Sequence, residues 1–255
     1  MRIAVFVTCY NVEAQIVDKV LARIPSEAMT EVDEFVVIDN CSSDQTVQKV
    51  LQFRDSRPDM ATKLKVIANA KNYGYGGSHK VAFNYLQERA FDWGILLHGD
   101  GQGSPNDLPQ FIRQIKTSNY DFIIGSRFLD MSLSRDYSLL RKIANKFFIY
   151  LQKMVSGVYI SDPGSGYIAY NMAFLRDVPY WRLPSYAYYD PCLFLYVSRM
   201  RARIHEFPIV WGEVETSSVN MWEYGMRLLW VLLRFRVKGL ALESSRPTDY
   251  TYALV

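Results

Sequence analysis

The chain has 255 residues, 49% of them hydrophobic, and a formal net charge of +3. This length accommodates one large α/β domain or two small ones, and the hydrophobic fraction is sufficient for an extensive core, which argues against wholesale disorder. The small net charge gives no support for a nucleic-acid-binding protein, so we expect no nucleic acid among its partners.

The cysteines and the apolar segments indicate the cellular compartment in which the protein works. Cys9, Cys41 and Cys192 lack the spacing of metal ligands, and the first and third lie in apolar runs, as buried free thiols of a reducing compartment do. The apolar run near Met1 is too short for a signal peptide, and no uncharged apolar run reaches the roughly 18 residues that span a bilayer. We therefore predict a cytoplasmic protein and leave open a peripheral contact with the inner face of a membrane.

Short apolar strands alternate with helical patterns through the first half of the chain. The predicted strands are Ile3–Thr8, Phe35–Ile38, Leu64–Ala68, Ile95–Leu97 and Phe122–Ile124. The spacing of apolar residues predicts helices over Val12–Ile24, Asp44–Phe53, Gly77–Arg89 and Leu108–Lys116. This alternation is typical of right-handed βαβ units, so we predict an α/β fold, a three-layer sandwich with a mainly parallel central sheet and helices on both faces.

The second half of the chain is less periodic and richer in aromatic residues. Amphipathic helices that carry basic residues are predicted over Leu139–Val155 and Trp222–Val237. Each could pack against the core with a solvated basic face, or lie at a membrane interface with its cations at the lipid headgroups. Ser244–Val255 has few apolar residues and is predicted to be a loose tail.

Polar residues follow each strand of the first half. His98 and Asp100 end the fourth strand, and a carboxylate there is costly unless water, a donor or a metal cation meets it. Ligands of parallel sheets bind beyond the carboxyl ends of the strands, so the residues that follow the other strands belong to the same candidate site. They are Tyr10, Asn11, Glu13, Asp39, Asp44, Asn72, Gly74, Gln102 and Arg127. Some of them also have a purely structural explanation, since Asp44 could cap a helix and Gly74 could serve merely to form a turn. Taken together, these residues suit the binding of a nucleotide with a phosphate and a metal.

Five motifs occur in order in the first 128 residues. They are VTCYNVEAQI, FVVIDNCSSDQT, NAKNYGYGG, LLHGDGQGSPNDLP and IIGSRF. They resemble the successive motifs of the inverting glycosyltransferases of family 2, which have the GT-A fold. DPGSGYIAYN and HEFPIVWGEVETSSVNMW extend a weaker resemblance to about residue 235, most like the dolichyl-phosphate mannose synthases and polyprenyl-phosphate sugar transferases.

The resemblance implies a role for each matching residue. The polar set named above would bind the nucleotide-sugar, with Asp39 at the base and Arg127 near the diphosphate and sugar. Asp100 would hold Mg²⁺ or Mn²⁺ against the diphosphate, and His98 replaces the first aspartate of the family's D-x-D motif. An imidazole can ligate Mn²⁺, whereas Mg²⁺ prefers oxygen, so either Asp100 binds the metal with the diphosphate and water or the metal requirement is altered.

Two carboxylates, Asp162 and Asp190, are the candidate catalytic residues. An acceptor hydroxyl needs a general base within reach, whereas a lipid phosphate is already ionised and needs only orientation. Asp162 matches an aspartate near the transferred sugar in polyprenyl-phosphate enzymes, and Asp190 roughly matches the acidic position where other members have a base. Asp190 also precedes Pro191, so it could equally be only a helix N-cap.

Three functions are compatible with these patterns. The first is transfer of a sugar, with inversion, from a UDP- or GDP-sugar to a polyprenyl-phosphate or lipid-linked acceptor. The second is transfer to a saccharide hydroxyl in surface polysaccharide or lipopolysaccharide synthesis. The third is a non-catalytic nucleotide-sugar-binding subunit, which only His98 favours. The resemblance implies one domain at residues 1–240, with a nucleotide-sugar-binding half at 1–128 and an acceptor half at 129–240, followed by a tail at 241–255.

Overall fold

The computed structural model describes residues 1–117, 119–130, 139–212 and 221–255, with backbone only for 139–142 and 221. Its strands are β1 (Ile3–Cys9), β2 (Glu34–Asp39), β3 (Leu64–Asn69), β4 (Trp93–His98), β5 (Phe122–Ser126), β6 (Ile168–Asn171), β7 (Ile204–Pro208) and β8 (Tyr252–Leu254). They form one eight-stranded sheet in the order β7-β5-β6-β4-β1-β2-β3-β8. Only β6 and β8 pair antiparallel with their neighbours among the described strands, so the predicted mainly parallel sheet is confirmed.

Helices cover both faces of this sheet. They are α1 (Ser26–Glu31), α2 (Thr46–Ser56), α3 (Pro58–Ala61), α4 (Tyr75–Glu88), α5 (Leu108–Thr117), α6 (Leu139–Ser156), α7 (Met172–Leu175), α8 (Tyr189–Ser198) and α9 (Met221–Lys238). On one face, Val50 of α2 and Phe111 of α5 are buried against the strands. On the other, Phe83 of α4 and Leu193 of α8 are buried in a separate cluster. The predicted three-layer sandwich is therefore confirmed.

The prediction of one helix over Val12–Ile24 is wrong. The chain instead forms a π-helical turn over Ile16–Val20 and a 3-10 turn over Leu21–Arg23. Val20 and Leu21 are adjacent, and both are buried. In a regular α-helix, two successive side chains point about 100° apart and tend to face different surroundings. Here the helical type changes between the two residues, and both side chains are buried.

The register of the sheet brings the ends of the parallel strands together. Thr8 pairs with His98, and Cys9 pairs with Asp39, so the chain leaves β1, β2 and β4 at one edge of the sheet. β6 runs in the opposite direction, so the segment before it, residues 162–167, begins at this same edge. We call it the carboxyl edge. The predicted polar residues thereby become neighbours although they are far apart in sequence.

The prediction of a loose tail over Ser244–Val255 is also wrong. β8 pairs antiparallel with β3, and Tyr250 is buried. Lys80, fully buried in α4, donates hydrogen bonds to the Tyr250 hydroxyl and to Ser185 Oγ at 2.8 Å each, and to Glu243 Oε2 at 3.2 Å. These partners compensate an ammonium group that would otherwise be costly to bury. Backbone pairing and polar contacts thus order the C-terminal strap, which we define as residues 240–255.

Two long helices, α6 and α9, pack against each other beside α8. Leu228, Leu232 and Phe235 of α9 are buried with residues of α8, which fixes the inner side of α9. Large apolar side chains on the outer sides remain exposed. They are Ile143, Phe147, Tyr150 and Met154 of α6, and Trp222, Met226, Trp230, Leu233 and Val237 of α9. In the described parts of the chain, no helix has both the length and the apolar character needed to cross a bilayer.

Candidate functional site

Hydrogen bonds join the loops that follow β1 and β2. The backbone N–H of Asn11 donates to Ser42 Oγ at 2.9 Å, and Asn11 Oδ1 accepts the N–H of Ser43 at 2.8 Å. The backbone N–H of Glu13 donates to Asp44 Oδ2 at 3.0 Å. The predicted residues Asn11, Glu13 and Asp44 are thus brought together, where they hold the two loops against each other.

Asp44 is hydrogen-bonded mainly within the protein. Its partial burial raises its pKa, but hydrogen bonds from the hydroxyl of Thr46 and from the backbone N–H groups of Glu13 and Thr46 outweigh this, so the pKa is lowered overall. The Thr46 hydroxyl donates to Asp44 Oδ1 at 2.6 Å, and Thr46 begins α2. Asp44 therefore supports the first turn of α2 as well as the loop after β1.

Asp39, at the end of β2, has one carboxylate oxygen without a partner. Its Oδ2 accepts the N–H of Ser42 at 3.0 Å, whereas its buried Oδ1 receives no hydrogen bond from the described residues. A buried acceptor without a donor is unfavourable, and a ligand N–H group at this position would relieve that cost. Tyr10, predicted for the same region, is 49% exposed at the end of β1.

A row of amide side chains connects the ends of β2 and β3. Asn69 Nδ2 donates to Asn40 Oδ1 at 3.1 Å, and Asn40 Nδ2 donates to Asn72 Oδ1 at 2.8 Å. Asn72 Oδ1 also accepts the N–H of Gly74. Gly74 has a φ of +77°, and a Cβ there would lie 2.6 Å from the carbonyl oxygen of Ser185, so glycine is needed for conformation and for space. Asn40 and Asn69 also follow from the polar strand ends in the sequence, and the structure shows that they form this row together with Asn72.

The two predicted metal ligands differ in what they present. Asp100 Oδ1 accepts the N–H of Gln102 at 3.0 Å, and the second oxygen of this half-buried carboxylate receives no hydrogen bond from the described residues. His98 Nε2 is buried, has no hydrogen-bond partner by distance and angle among the described residues, and lies against Gly166, where an added Cβ would be 2.5 Å away. Burial lowers the pKa of His98, so the ring is neutral at neutral pH.

The described side chains contain no group of three or more His, Cys, Asp and Glu that could hold a metal ion. Among the described side chains, a cation at Asp100 would therefore find too few protein ligands to complete its coordination. Diphosphate oxygens and water are the ligands that Mg²⁺ ordinarily uses when a protein supplies only one or two carboxylates. The available oxygen of Asp100 fits a cation of this kind.

Arg127 and Asp162 form a bidentate ion pair. Arg127 Nε lies 2.7 Å from Asp162 Oδ2, and one terminal nitrogen of Arg127 lies 2.7 Å from Oδ1. That nitrogen also donates to the carbonyl oxygen of Gly164 at 2.8 Å, and the guanidinium carbon is 5.2 Å from the centre of the Trp211 ring. Both oxygens of Asp162 therefore receive donors, the residue is 1% exposed, and the bidentate geometry fixes the orientation of the Arg127 guanidinium.

Asp190 lies in a buried polar cluster. Its Oδ2 accepts the hydroxyl of Tyr75 at 2.7 Å, its Oδ1 accepts that of Tyr170 at 3.3 Å, and His79 Nε2 is 3.7 Å from Oδ1. Burial raises the pKa of Asp190 to about 6 and lowers the pKa of His79 to about 4. The interpretation of Asp190 as only a helix N-cap is wrong, because α8 begins at Tyr189 and the carboxylate binds tyrosine hydroxyls instead of helix N–H groups.

Aromatic contacts connect these clusters. The Tyr75 ring, whose hydroxyl binds Asp190, stacks on His98 with ring centres 5.7 Å apart. Trp211 packs edge-on against His98 at 5.8 Å and also contacts Arg127. Trp211 was missed because its strand, β7, was not predicted, although it follows that strand at the carboxyl edge. His98 is therefore linked through aromatic side chains to both Arg127 and Asp190.

Comparisons with known proteins extend this description. The undecaprenyl-phosphate mannosyltransferase of Micrococcus luteus is 25% identical over 250 residues, which cover 93% of this chain and 99% of the relative. The dolichol-phosphate mannosyltransferase of Pyrococcus furiosus is 27% identical over 171 residues, which cover 66% of this chain and 46% of the relative.

The fold has a solved counterpart. Glucosyl-3-phosphoglycerate synthase from Mycobacterium tuberculosis, crystallised with Mn²⁺ and UDP-glucose, matches 100% of this chain and 86% of its own with a TM-score of 0.64 and 17% sequence identity. This similarity confirms the predicted GT-A fold. The model of the glycosyl transferase family 2 matches residues 4–179, well over half of the chain. The chain belongs to the glycosyl transferase family 2 and is a glycosyltransferase.

Proposed function

We propose that this glycosyltransferase moves a sugar, with inversion, from a nucleotide-diphosphate-sugar to a polyprenyl phosphate. The choice of a phosphate acceptor rests on one observation: both oxygens of Asp162 and both oxygens of Asp190 accept hydrogen bonds inside the protein. A hydroxyl acceptor requires a base within hydrogen-bond reach, whereas a phosphate acceptor arrives ionised. The relatives from Micrococcus luteus and Pyrococcus furiosus are named for lipid phosphates, which supports the same acceptor class.

The proposed reaction needs no proton transfer. An oxygen of the lipid phosphate forms a bond to C1 of the sugar on the face opposite the diphosphate. The bond from C1 to the diphosphate oxygen breaks, and its electron pair leaves with the nucleoside diphosphate. Arg127, oriented by Asp162, would place a fixed positive charge near the developing negative charge, which lowers the barrier most effectively in a site that excludes water.

The donor would bind across the carboxyl edge. The buried Oδ1 of Asp39, which receives no hydrogen bond from the described residues, suits a ring N–H of a nucleobase, which both uracil and guanine offer. Asn11, Glu13 and Asp44 would hold the surrounding loops, and Asn72 with Gly74 would shape the opposite wall. These contacts leave the choice between UDP and GDP open.

A divalent cation is part of the proposal. Bound Mg²⁺ or Mn²⁺ would supply charge that neutralises the departing diphosphate. Asp100 would hold it through the oxygen that no described residue contacts, whereas Nε2 of His98 faces Gly166 in the interior. We therefore favour Asp100 with diphosphate and water over a site in which His98 replaces the missing aspartate.

Asp100→Asn is expected to fold normally and to lose most activity. Asn has nearly the same size but provides no anionic ligand, so turnover should fall about 100-fold or more. Turnover with saturating donor and Mn²⁺ measures this, and Asp55→Asn, at a side chain 70% exposed, is the matched control and should retain full activity. If Asp100→Asn keeps more than about a third of wild-type turnover, Asp100 does not hold the cation.

A transfer assay tests the acceptor class directly. The protein is incubated with Mn²⁺, radiolabelled UDP-glucose, UDP-N-acetylglucosamine or GDP-mannose, and either undecaprenyl phosphate, dolichyl phosphate or soluble oligosaccharides. We expect label from one donor to enter the organic phase with a polyprenyl phosphate. Transfer only to an oligosaccharide, abolished by Asp190→Asn, would instead establish the saccharide-hydroxyl function with Asp190 as base. Donor binding without transfer to any acceptor would indicate a non-catalytic subunit.

We also infer that the exposed apolar side of α6 and α9 contacts an anionic membrane. Exposed Phe147 and Trp230 occur there together with basic residues such as Lys146 and Arg236, and Glu223 is the one acidic residue in the two helix sequences. Apolar side chains favour the acyl boundary, and basic side chains favour anionic headgroups. A membrane contact would bring the protein to its lipid substrate.

Flotation with phosphatidylglycerol vesicles tests this contact. Each basic residue near an anionic surface contributes about 1 kcal/mol, so replacing Lys146, Lys153 and Arg236 by Gln should weaken binding about 100-fold. Gln at Lys49, Lys65 and Lys116, which lie on α2, β3 and α5, should leave it unchanged. High salt should reduce wild-type binding only in part, because salt screens charges and not apolar burial. Failure of the wild-type protein to float with these vesicles would favour the saccharide-hydroxyl function.

A further inference from the structure

An open groove lies between α9 and the C-terminal strap. It encloses about 550 Å³, part of which is open to solvent. One wall is the outer side of α9, another is the first part of the strap, and the third is the loop that precedes α8. Apolar and aromatic side chains dominate the lining, chiefly Tyr186, Tyr188, Trp230, Val231, Leu240 and Leu242.

The two charged residues of the lining have partners elsewhere. Arg234 donates to the carbonyl oxygen of Gly239 at 3.0 Å and lies 5.8 Å from the Trp230 ring centre. Glu243 is paired with the buried Lys80. A hydrocarbon chain that enters the groove would therefore meet one carboxylate that is ion-paired and one guanidinium that is hydrogen-bonded beside an aromatic ring.

A row of tyrosines connects the groove to the candidate site. The rings of Tyr186 and Tyr188 stack with centres 5.6 Å apart, and Tyr188 packs edge-on against Tyr224 at 6.5 Å. A Cβ on Gly164 would lie 3.5 Å from the Tyr224 hydroxyl, and the Gly164 carbonyl oxygen accepts a hydrogen bond from Arg127. Consecutive contacts thus connect the guanidinium of Arg127, through Gly164 and the rings of Tyr224 and Tyr188, to the groove.

We propose that this groove binds the first isoprene units of the polyprenyl-phosphate acceptor, an inference that rests on the proposed function. The acceptor phosphate lies near Arg127, the chain follows the tyrosines, and its first units pack between Trp230 and the strap. Methyl-branched, unsaturated units have a large apolar surface that aromatic walls bury well. Trp230 also belongs to the exposed side of α9, so the rest of the chain continues from the groove into the bilayer.

The test uses short acceptors that need no membrane, namely geranyl, farnesyl and geranylgeranyl phosphate. For the wild-type protein, kcat/KM should rise at least about tenfold from the shortest to the longest, because each added unit buries more apolar surface. Ala241→Trp fills the groove and Trp230→Ala removes one wall. In both variants we expect the rise to shrink to about threefold or less, with unchanged affinity for the nucleoside diphosphate.

Matched controls replace the same residue types outside the groove. Ala61→Trp on α3 and Trp222→Ala on α9, both at exposed positions, should retain the full dependence on chain length. If Ala241→Trp loses nucleotide affinity and so has not folded, Trp230→Ala decides alone, because its side chain is already 58% exposed. An undiminished rise in the folded groove variants overturns the groove and leaves the proposed function standing. Absence of transfer to all three lipids by a wild-type protein that does glycosylate undecaprenyl or dolichyl phosphate overturns the groove alone, whereas absence of transfer to the long lipids as well overturns the proposed function and this inference with it.

Discussion

The parallel pairing of β1 with β2 and β4 is the constraint on which the site depends. Its register places the last residues of these strands side by side, so that Asp39 and His98 flank the end of β1. Both faces of β1 are buried, with Val5 in one hydrophobic cluster and Phe6 in the other, so a shift by one residue would exchange the side chains that pack into the two clusters. The strand register, and not packing of the polar side chains themselves, then sets the positions of the residues at the strand ends.

The antiparallel strand β6 adds a second set of residues to that edge. Because β6 lies between β4 and β5 and runs in the opposite direction, the chain before it approaches the ends of its neighbours. Asp162 reaches Arg127 after β5, and Gly166 lies against His98 after β4. The segment before β6 is therefore joined to the ends of both β4 and β5, and bidentate geometry fixes the guanidinium more tightly than a single hydrogen bond would.

Burial distinguishes the two candidate catalytic carboxylates from the candidate metal ligand. Asp162 and Asp190 are almost fully buried and use their oxygens on protein donors, which compensates the loss of hydration. Asp100 is half-buried, and one of its oxygens receives no hydrogen bond from the described residues. Among these three aspartates, the carboxylate with an available oxygen is thus the one that is also the least buried.

The sequence predicted the alternating half of the fold well because buried strands and amphipathic helices have characteristic apolar patterns. The edge positions of Asp39, Asp100 and Arg127 followed from that alternation. The C-terminal strap was not predictable from composition, because its order depends on backbone pairing with β3 and on contacts with Lys80, both distant in sequence. Likewise, the partners of Asp190 are distant in sequence, and only the folded chain shows that Tyr75 and Tyr170 meet its carboxylate.

Calorimetry of nucleoside diphosphate binding is the most direct test that the carboxyl edge is the donor site. UDP and GDP are titrated with and without Mn²⁺ into the wild-type protein, Asp39→Ala, and the control Asp18→Ala at an exposed aspartate. We expect one diphosphate to bind in a Mn²⁺-dependent manner, and Asp39→Ala to weaken it about tenfold or more, because a buried hydrogen bond to a charged group is lost. Asp18→Ala should bind like the wild type. Equal affinity after chelation and in Asp39→Ala would contradict the assignment of the nucleotide to this edge.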